Sequence, residues 1–199
     1  MTKTIEINHL SFSMGNQEIL HDVSINVPSQ SIYGFIGHNG AGKTTTIKLL
    51  LGLLHAPENS IRIFGKDIAK ERIDILKNVG SLVEQPAIYP HLTGYENLYN
   101  RCILLGLKKK EIDRAAAITQ TGTYLDKKAG KYSLGMKQRL GIALSLLNDP
   151  ELLILDEPTN GLDPSGIHEI RSLLLNLCHQ FGKTVFISSH LLSEIEKIV

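Results

Sequence analysis

A chain of 199 residues is one domain with room for a subdomain, and can bury roughly 70% of its unfolded surface. Its 21 basic and 20 acidic residues leave a formal charge of +1, without the basic excess of a protein whose main partner is a nucleic-acid backbone. The longest apolar runs, such as Leu49-Leu50-Leu51-Gly52-Leu53-Leu54, are far short of the roughly 20 residues of a membrane span, no apolar signal core opens the chain, and Cys102 and Cys178 stand in no metal-ligand spacing, so it reads as cytosolic with two buried thiols.

In chain order, Ile5 and Ile7, then Ile19, Val23, Ile25 and Val27, alternate as in half-buried strands and are broken by Gly15-Asn16 and Pro28. This predicts an antiparallel β part at the N-terminus. Residues 32 to 36 form a compact apolar run ending at Gly37, which suits a buried strand. A helical pattern starts near Gly42, with Ile47, Leu50, Leu51 and Leu54 on one face. Residues 61 to 64 predict a short strand, and 81 to 84 the end of another. Strand signals then vanish from about Thr93 to Leu147, where helices are predicted over 95–105, 112–121 and 134–147, with a turn at Lys108-Lys109-Lys110. Leu152-Leu153-Ile154-Leu155 is a second apolar strand, 167–177 a helix, Val185-Phe186-Ile187 a third strand, and 191–198 a short helix.

Two motifs carry chemistry. Gly37-His38-Asn39-Gly40-Ala41-Gly42-Lys43-Thr44 fits the phosphate-loop pattern G-x-x-x-x-G-K-[ST], and a predicted strand and helix flank it as that loop requires. Its glycines admit positive φ and leave room for a phosphate to approach the backbone. Successive amides from about Gly40 to Thr45 can then face a β-phosphate at the positive end of the helix. Lys43 would reach the β- and γ-phosphates of ATP, and the Thr44 hydroxyl would ligate Mg²⁺. The second motif is the strand end Leu155-Asp156-Glu157. Asp156 would face the Mg²⁺ site, and Glu157, one step further, would polarise an attacking water as general base. Together these predict an α/β fold: a P-loop NTPase core with a mostly parallel sheet covered on both faces. A helical subdomain of about residues 86–147 is predicted between core segments of about 1–85 and 148–199.

With these motifs in place, the chain resembles the ATP-binding cassette (ABC) ATPases over its whole length. Pro158-Thr159-Asn160-Gly161-Leu162-Asp163-Pro164 is similar to the family's D-loop, Gln85 to its Q-loop glutamine, His190 in Ser188-Ser189-His190 to its switch histidine, and Tyr132-Ser133-Leu134-Gly135-Met136-Lys137-Gln138-Arg139 to its signature motif. The resemblance implies that two copies close head to tail. ATP on one phosphate loop would then be capped by Ser133 and Gly135 of the other copy. It implies that Gln85 senses Mg²⁺ and the γ-phosphate, and that His190 holds the γ-phosphate beside Glu157. It also implies an ATPase at the inner face of the cell membrane, bound there to a separate permease and powering export. The segment 85–99, with Pro86, Tyr89, Pro90 and Tyr95, is the expected place for that permease to dock. Other members of the class act on ribosomes or DNA, or bind nucleotide as regulators. The single cassette, the near-neutral charge and the intact Glu157 and His190 favour the transporter subunit.

Three departures from the family pattern stand out. In the signature, Leu134 replaces a glycine and Met136 a glutamine, a form that resembles the branch of bacitracin-resistance and lantibiotic self-protection exporters. Met14 stands where many relatives stack adenine on an aromatic ring. Such stacking is worth ~1–3 kcal/mol and a thioether ~0.3–1.5 kcal/mol, so weaker nucleotide binding and poor discrimination of ATP from GTP are predicted. Phe12 fills the role if the register is offset by two. Finally, the chain ends nine residues beyond His190, where relatives continue, so it is predicted to be truncated at the C-terminus.

Overall fold

The computed structural model describes residues 2–192. The short helix expected over 191–198 therefore lies, from residue 193 on, outside the described residues. The N-terminal hairpin pairs β1 (Lys3–Met14) antiparallel with β2 (Gln17–Pro28) around Gly15. Its outer edge is extended by β4 (Ile61–Ile63) and β5 (Lys66–Asp67), giving the order β2-β1-β4-β5. The second sheet is wholly parallel. It takes β3 (Ile32–Ile36), β8 (Thr184–Ser189), β7 (Leu152–Asp156) and β6 (Val79–Leu82) in the order β3-β8-β7-β6. Parallel neighbours need long crossovers, and helices supply them: α1 (Lys43–Leu50), α2 (Ile68–Leu76), α3 (Gly94–Leu104), α4 (Lys110–Thr119), α5 (Leu134–Leu146) and α6 (Pro164–His179).

The period of two along a strand explains why β7 is apolar throughout. Leu153 and Leu155 join Val185 and Ile187 in one core with α3, α4, α5 and α6. Leu152 and Ile154 join Phe186 in a second core with Ile5, Ile7, Ile47 and Leu50 from the antiparallel sheet and α1. A strand covered on both faces has no solvent side on which to place polar residues. Its polar residues come at the C-terminal end, Asp156 on β7 and Ser188-Ser189 on β8, which is where a ligand site forms in an open parallel sheet.

The α/β fold, the parallel sheet and the antiparallel part are as expected. Both cysteines are buried and free. The structure corrects several boundaries. The strand expected to end at residue 84 is β6, which stops at Leu82, and the chain turns at Glu84, whose φ is 61°. Leu54 lies beyond the C-cap of α1 at Leu51 rather than on the helix. The short strand β5 and the helix α2 were not anticipated. Only Ile68 and Ile75 of α2 are buried, and Glu71 interrupts it with non-helical angles, so no periodic face is long enough to announce it.

Helix α3 opens with a capping box. The Thr93 hydroxyl accepts from the Glu96 amide at 3.1 Å, and the Glu96 carboxylate accepts from the Thr93 amide at 2.7 Å. That amide, then the Thr93 hydroxyl, hold the Glu96 carboxyl below its ordinary 4.5. Because the folded pKa is depressed, this contribution is present above the unfolded value and disappears as pH falls through the folded one. Thr93→Ala is expected to lower stability by about 1 kcal/mol at neutral pH. In urea melts across pH, the difference from wild type is expected to shrink on acidification; a difference that grows in acid would contradict this reading.

Candidate functional site

The phosphate-loop segment follows β3 directly and leads into α1. Gly37 donates its amide to the Ser189 carbonyl at 3.3 Å, which ties the start of the loop to the end of β8. Ala41 closes a turn onto the His38 carbonyl at 3.1 Å. Gly40 and Gly42 both have positive φ, 81° and 86°. Gly42 is the N-cap of α1 and offers no side-chain cap, so the first amides of the helix, Lys43, Thr44 and Thr45, lack intrahelical acceptors. An open glycine turn with uncapped amides fits an oxyanion of the phosphate class.

Lys43 is 6% exposed. Its ammonium is held by the carbonyls of Gly37 at 2.7 Å and His38 at 3.1 Å, and pairs with Glu157 Oε1 at 3.3 Å. The other carboxylate oxygen of Glu157 accepts from His190 Nδ1 at 2.9 Å. The two residues expected to handle the γ-phosphate and the attacking water are therefore in direct contact with the expected base. A cavity of about 130 Å³ beside Glu157 and His190, lined also by Thr159, Asn160 and Ser189, is large enough for water. Glu157 itself has φ 45°, in the left-handed region that costs a non-glycine residue roughly 1–2 kcal/mol.

Asp156 ends β7 almost fully buried, with both carboxylate oxygens engaged. Thr44 Oγ1 donates to Oδ2 at 2.9 Å, and Ser188 Oγ donates to Oδ1 at 2.6 Å. A threonine hydroxyl that gives its hydrogen to a carboxylate keeps its lone pairs for a hard cation. Thr44 and Asp156 thus form an oxygen pair that fits Mg²⁺.

The remaining expected site residues make no hydrogen bond to Lys43, Asp156, Glu157 or His190. Met14 lies at the hairpin tip, 55% exposed, two residues beyond Phe12, which pairs across the hairpin with Leu20. Phe12 packs against the second core, so the exposed position belongs to Met14. Gln85 is exposed in the turn after β6 and makes no hydrogen bond to Thr44 or Asp156. Ser133 is the N-cap of α5, its hydroxyl accepting from the Met136 amide at 3.2 Å. Ser133 and Gly135 line a cavity of about 650 Å³ with Gly161, Leu162, Asp163 and Arg139. No phosphate-loop residue lines it, so one chain does not bring the signature to its own loop.

Two features were not visible beforehand. Ser188, which joins Asp156 to the Glu157 amide, stands opposite Asp156 in the β7–β8 register; that pairing was the missing signal. Gln138, buried on α5, donates to the Pro158 carbonyl at 2.9 Å and ties the signature helix to the 158–164 loop. The segment 85–99 contributes to one side of a groove. This groove, about 780 Å³, is lined by Leu53, Arg72, Ile73, Leu76, Arg101 and Leu105 among others, and by Ala87 from 85–99. Among the described residues, no helix is long and apolar enough to cross a membrane.

Comparison with known proteins gives the same picture. Residues 20–160 match the ABC transporter family. The chain is 50% identical to the bacitracin transport ATP-binding protein BcrA of Bacillus licheniformis, aligned over 100% of this chain and 65% of that protein. It is 41% identical to the lantibiotic transport ATP-binding protein SrtF of Streptococcus pyogenes, over 98% of this chain and 83% of that protein. Thus it spans about two thirds of the length of the bacitracin relative. Its fold superposes on cbiO1 of Clostridium perfringens, described as part of the ABC transporter complex cbiONQ, with TM-score 0.87, 27% identity, and coverage of 95% of this chain and 79% of that one. The branch read from Ser133-Leu134-Gly135-Met136 is the branch of BcrA and SrtF. With the family match running through most of its length, the chain belongs to the ABC transporter family.

Proposed function

We propose that this chain binds ATP with Mg²⁺, hydrolyses it, and powers export through a separate membrane subunit. The observation that carries the proposal is the meeting, at the C-terminal ends of β7 and β8, of Lys43, Glu157 and His190 with the Thr44–Asp156 pair. In this reading the loop amides and Lys43 hold the β- and γ-phosphates. Lys43 exchanges its Glu157 partner for phosphate oxygens, which frees the carboxylate. Glu157 then accepts a proton from the attacking water at the oxygen that faced Lys43, while His190 keeps the other oxygen oriented. Thr44 and Asp156, joined by Gln85, would hold Mg²⁺, and the ion would supply neutralisation of the phosphate charge. Met14 lies against the adenine ring.

The separation of Ser133 and Gly135 from the loop of the same chain supports a composite site made by two copies, head to tail. Ser133, at the N-terminus of α5, caps the γ-phosphate of the facing copy. The names of the relatives support a cargo of the bacitracin or lantibiotic kind. The groove with Leu53 and Ile73 exposed on its rim, which Ala87 of the 85–99 segment also lines, supports docking of the membrane subunit there. The core and helical segments would divide near residues 85 and 148. The test is phosphate release from ATP by the purified chain, with GTP competing within about ten-fold because Met14 contributes little stacking, together with copurification of a membrane subunit that Ile73→Asp abolishes. Absent turnover with the membrane subunit present would refute the ATPase reading, and unaltered copurification of Ile73→Asp would refute the docking surface.

A further inference from the structure

We propose that Ser188 is the positioning residue that aims both carboxylates of the site, a reading that rests on the ATPase function proposed above. Its hydroxyl is fully buried and performs two tasks at once. It donates to Asp156 Oδ1 at 2.6 Å and accepts from the Glu157 amide at 2.9 Å. The chain of donors therefore runs from the Glu157 N–H through Ser188 to Asp156, and Thr44 closes it from the other side at Oδ2. A single hydroxyl thus couples the residue that faces the cation to the residue that faces the water.

The coupling matters because of the backbone between them. Asp156 is the last residue of a regular strand, paired with Ser188 in register, whereas Glu157 must turn at once to a φ of 45°. A non-glycine residue keeps such a conformation only when its surroundings over-determine it. The Ser188 hydroxyl is the bond that catches the Glu157 amide at that turn. Losing it leaves a part-buried amide and a buried carboxylate oxygen unpartnered together, and the cheapest relief is for Glu157 to swing out of the left-handed region. Its carboxylate would then leave Lys43 and His190. Ser189 cannot take over, because its hydroxyl is engaged with the amide and carbonyl of Leu191. Alanine thus removes the aim of the base, while Asp156 keeps its bond from Thr44 of the phosphate loop. Threonine keeps the hydroxyl and suits a strand.

The test uses three measurements on the purified chain: steady-state turnover, ATP affinity, and amide hydrogen exchange at Glu157 without nucleotide. Ser188→Ala is expected to lower kcat by about 10- to 100-fold, the range for a misplaced reacting group, with ATP affinity within about 2-fold of wild type. Exchange at Glu157 is expected to quicken by about 10-fold or more while the β7 amides stay protected. Ser188→Thr is expected to restore both readouts. The proposal is overturned if Ser188→Ala keeps kcat within about 2-fold, if affinity and exchange protection fall together across the whole chain, or if Ser188→Thr fares no better than alanine. A wild-type chain without turnover would refute the ATPase reading itself, an outcome distinct from wild-type turnover that survives Ser188→Ala.

Discussion

Glu157→Gln is expected to reduce ATP turnover by roughly 10²- to 10⁴-fold, the range for loss of a positioned general base, while ATP still binds. The amide preserves shape but accepts no proton at neutral pH. It also loses the charge that pairs with Lys43 at 3.3 Å. Lys43 keeps the carbonyls of Gly37 and His38, so the loop remains formed. Its ammonium is nevertheless less well compensated in a nearly dry position. The nucleotide-free variant is therefore expected to melt below wild type, and ATP, whose phosphates replace the missing charge, to recover the difference. Phosphate-release kinetics and thermal melts with and without ATP check both parts. Unchanged hydrolysis would remove Glu157 from its assigned role.

Gly42→Ala is expected to break the phosphate loop more severely than Gly40→Ala. Both positions hold positive φ, so alanine pays the left-handed cost of roughly 1–2 kcal/mol at either. They differ in what a Cβ meets. At Gly40 nothing lies within 4 Å; at Gly42 the new atom falls 2.6 Å from Leu20 Cδ2 and 3.3 Å from the Ile19 carbonyl. Leu20 is itself buried and Ile19 presents backbone, so the clash must be relieved by moving the loop off β2. Gly42→Ala is expected to lose about 2–4 kcal/mol in stability and at least about 100-fold in ATP affinity through the displaced amides. Gly40→Ala is expected to lose only the conformational part. Urea melts and nucleotide titrations decide, and equal effects at the two glycines would contradict the packing of the hairpin against the loop.

How far the site could be read before the structure depends on how local its parts are. The loop at 37–44 and the carboxylates at 156–157 lie in contiguous segments whose flanking apolar runs declare a strand, a turn and a helix, so their placement was legible. The apolar run of β7 likewise declared a strand covered on both faces. Ser188 was not legible, because its partner Asp156 is 32 residues away and only the β7–β8 register brings them opposite each other. The pairing of Lys43 with Glu157 is hidden for the same reason. Helix α2 escaped because a kink at Glu71 and only two buried residues leave no periodic face. The groove was not legible because its wall combines residues near 51–53, 72–82, 101–107 and 141–148. Such a surface is a property of packed elements, to which the stretch 85–99 contributes Ala87 while its Tyr89 and Pro90 stay exposed.

The separate location of Ser133 and Gly135 carries the central claim, that a working site needs the signature of a second copy. It makes a direct prediction about mass. Glu157→Gln, which binds ATP and stalls before hydrolysis, should accumulate the closed pair. Light scattering on this variant with ATP is expected to give twice the 22.0 kDa of one chain, reverting to the single mass when Ser133→Glu is added to set like charge against the γ-phosphate. A mass of 22.0 kDa with ATP bound, or a pair that forms equally well with Ser133→Glu, would contradict the composite site.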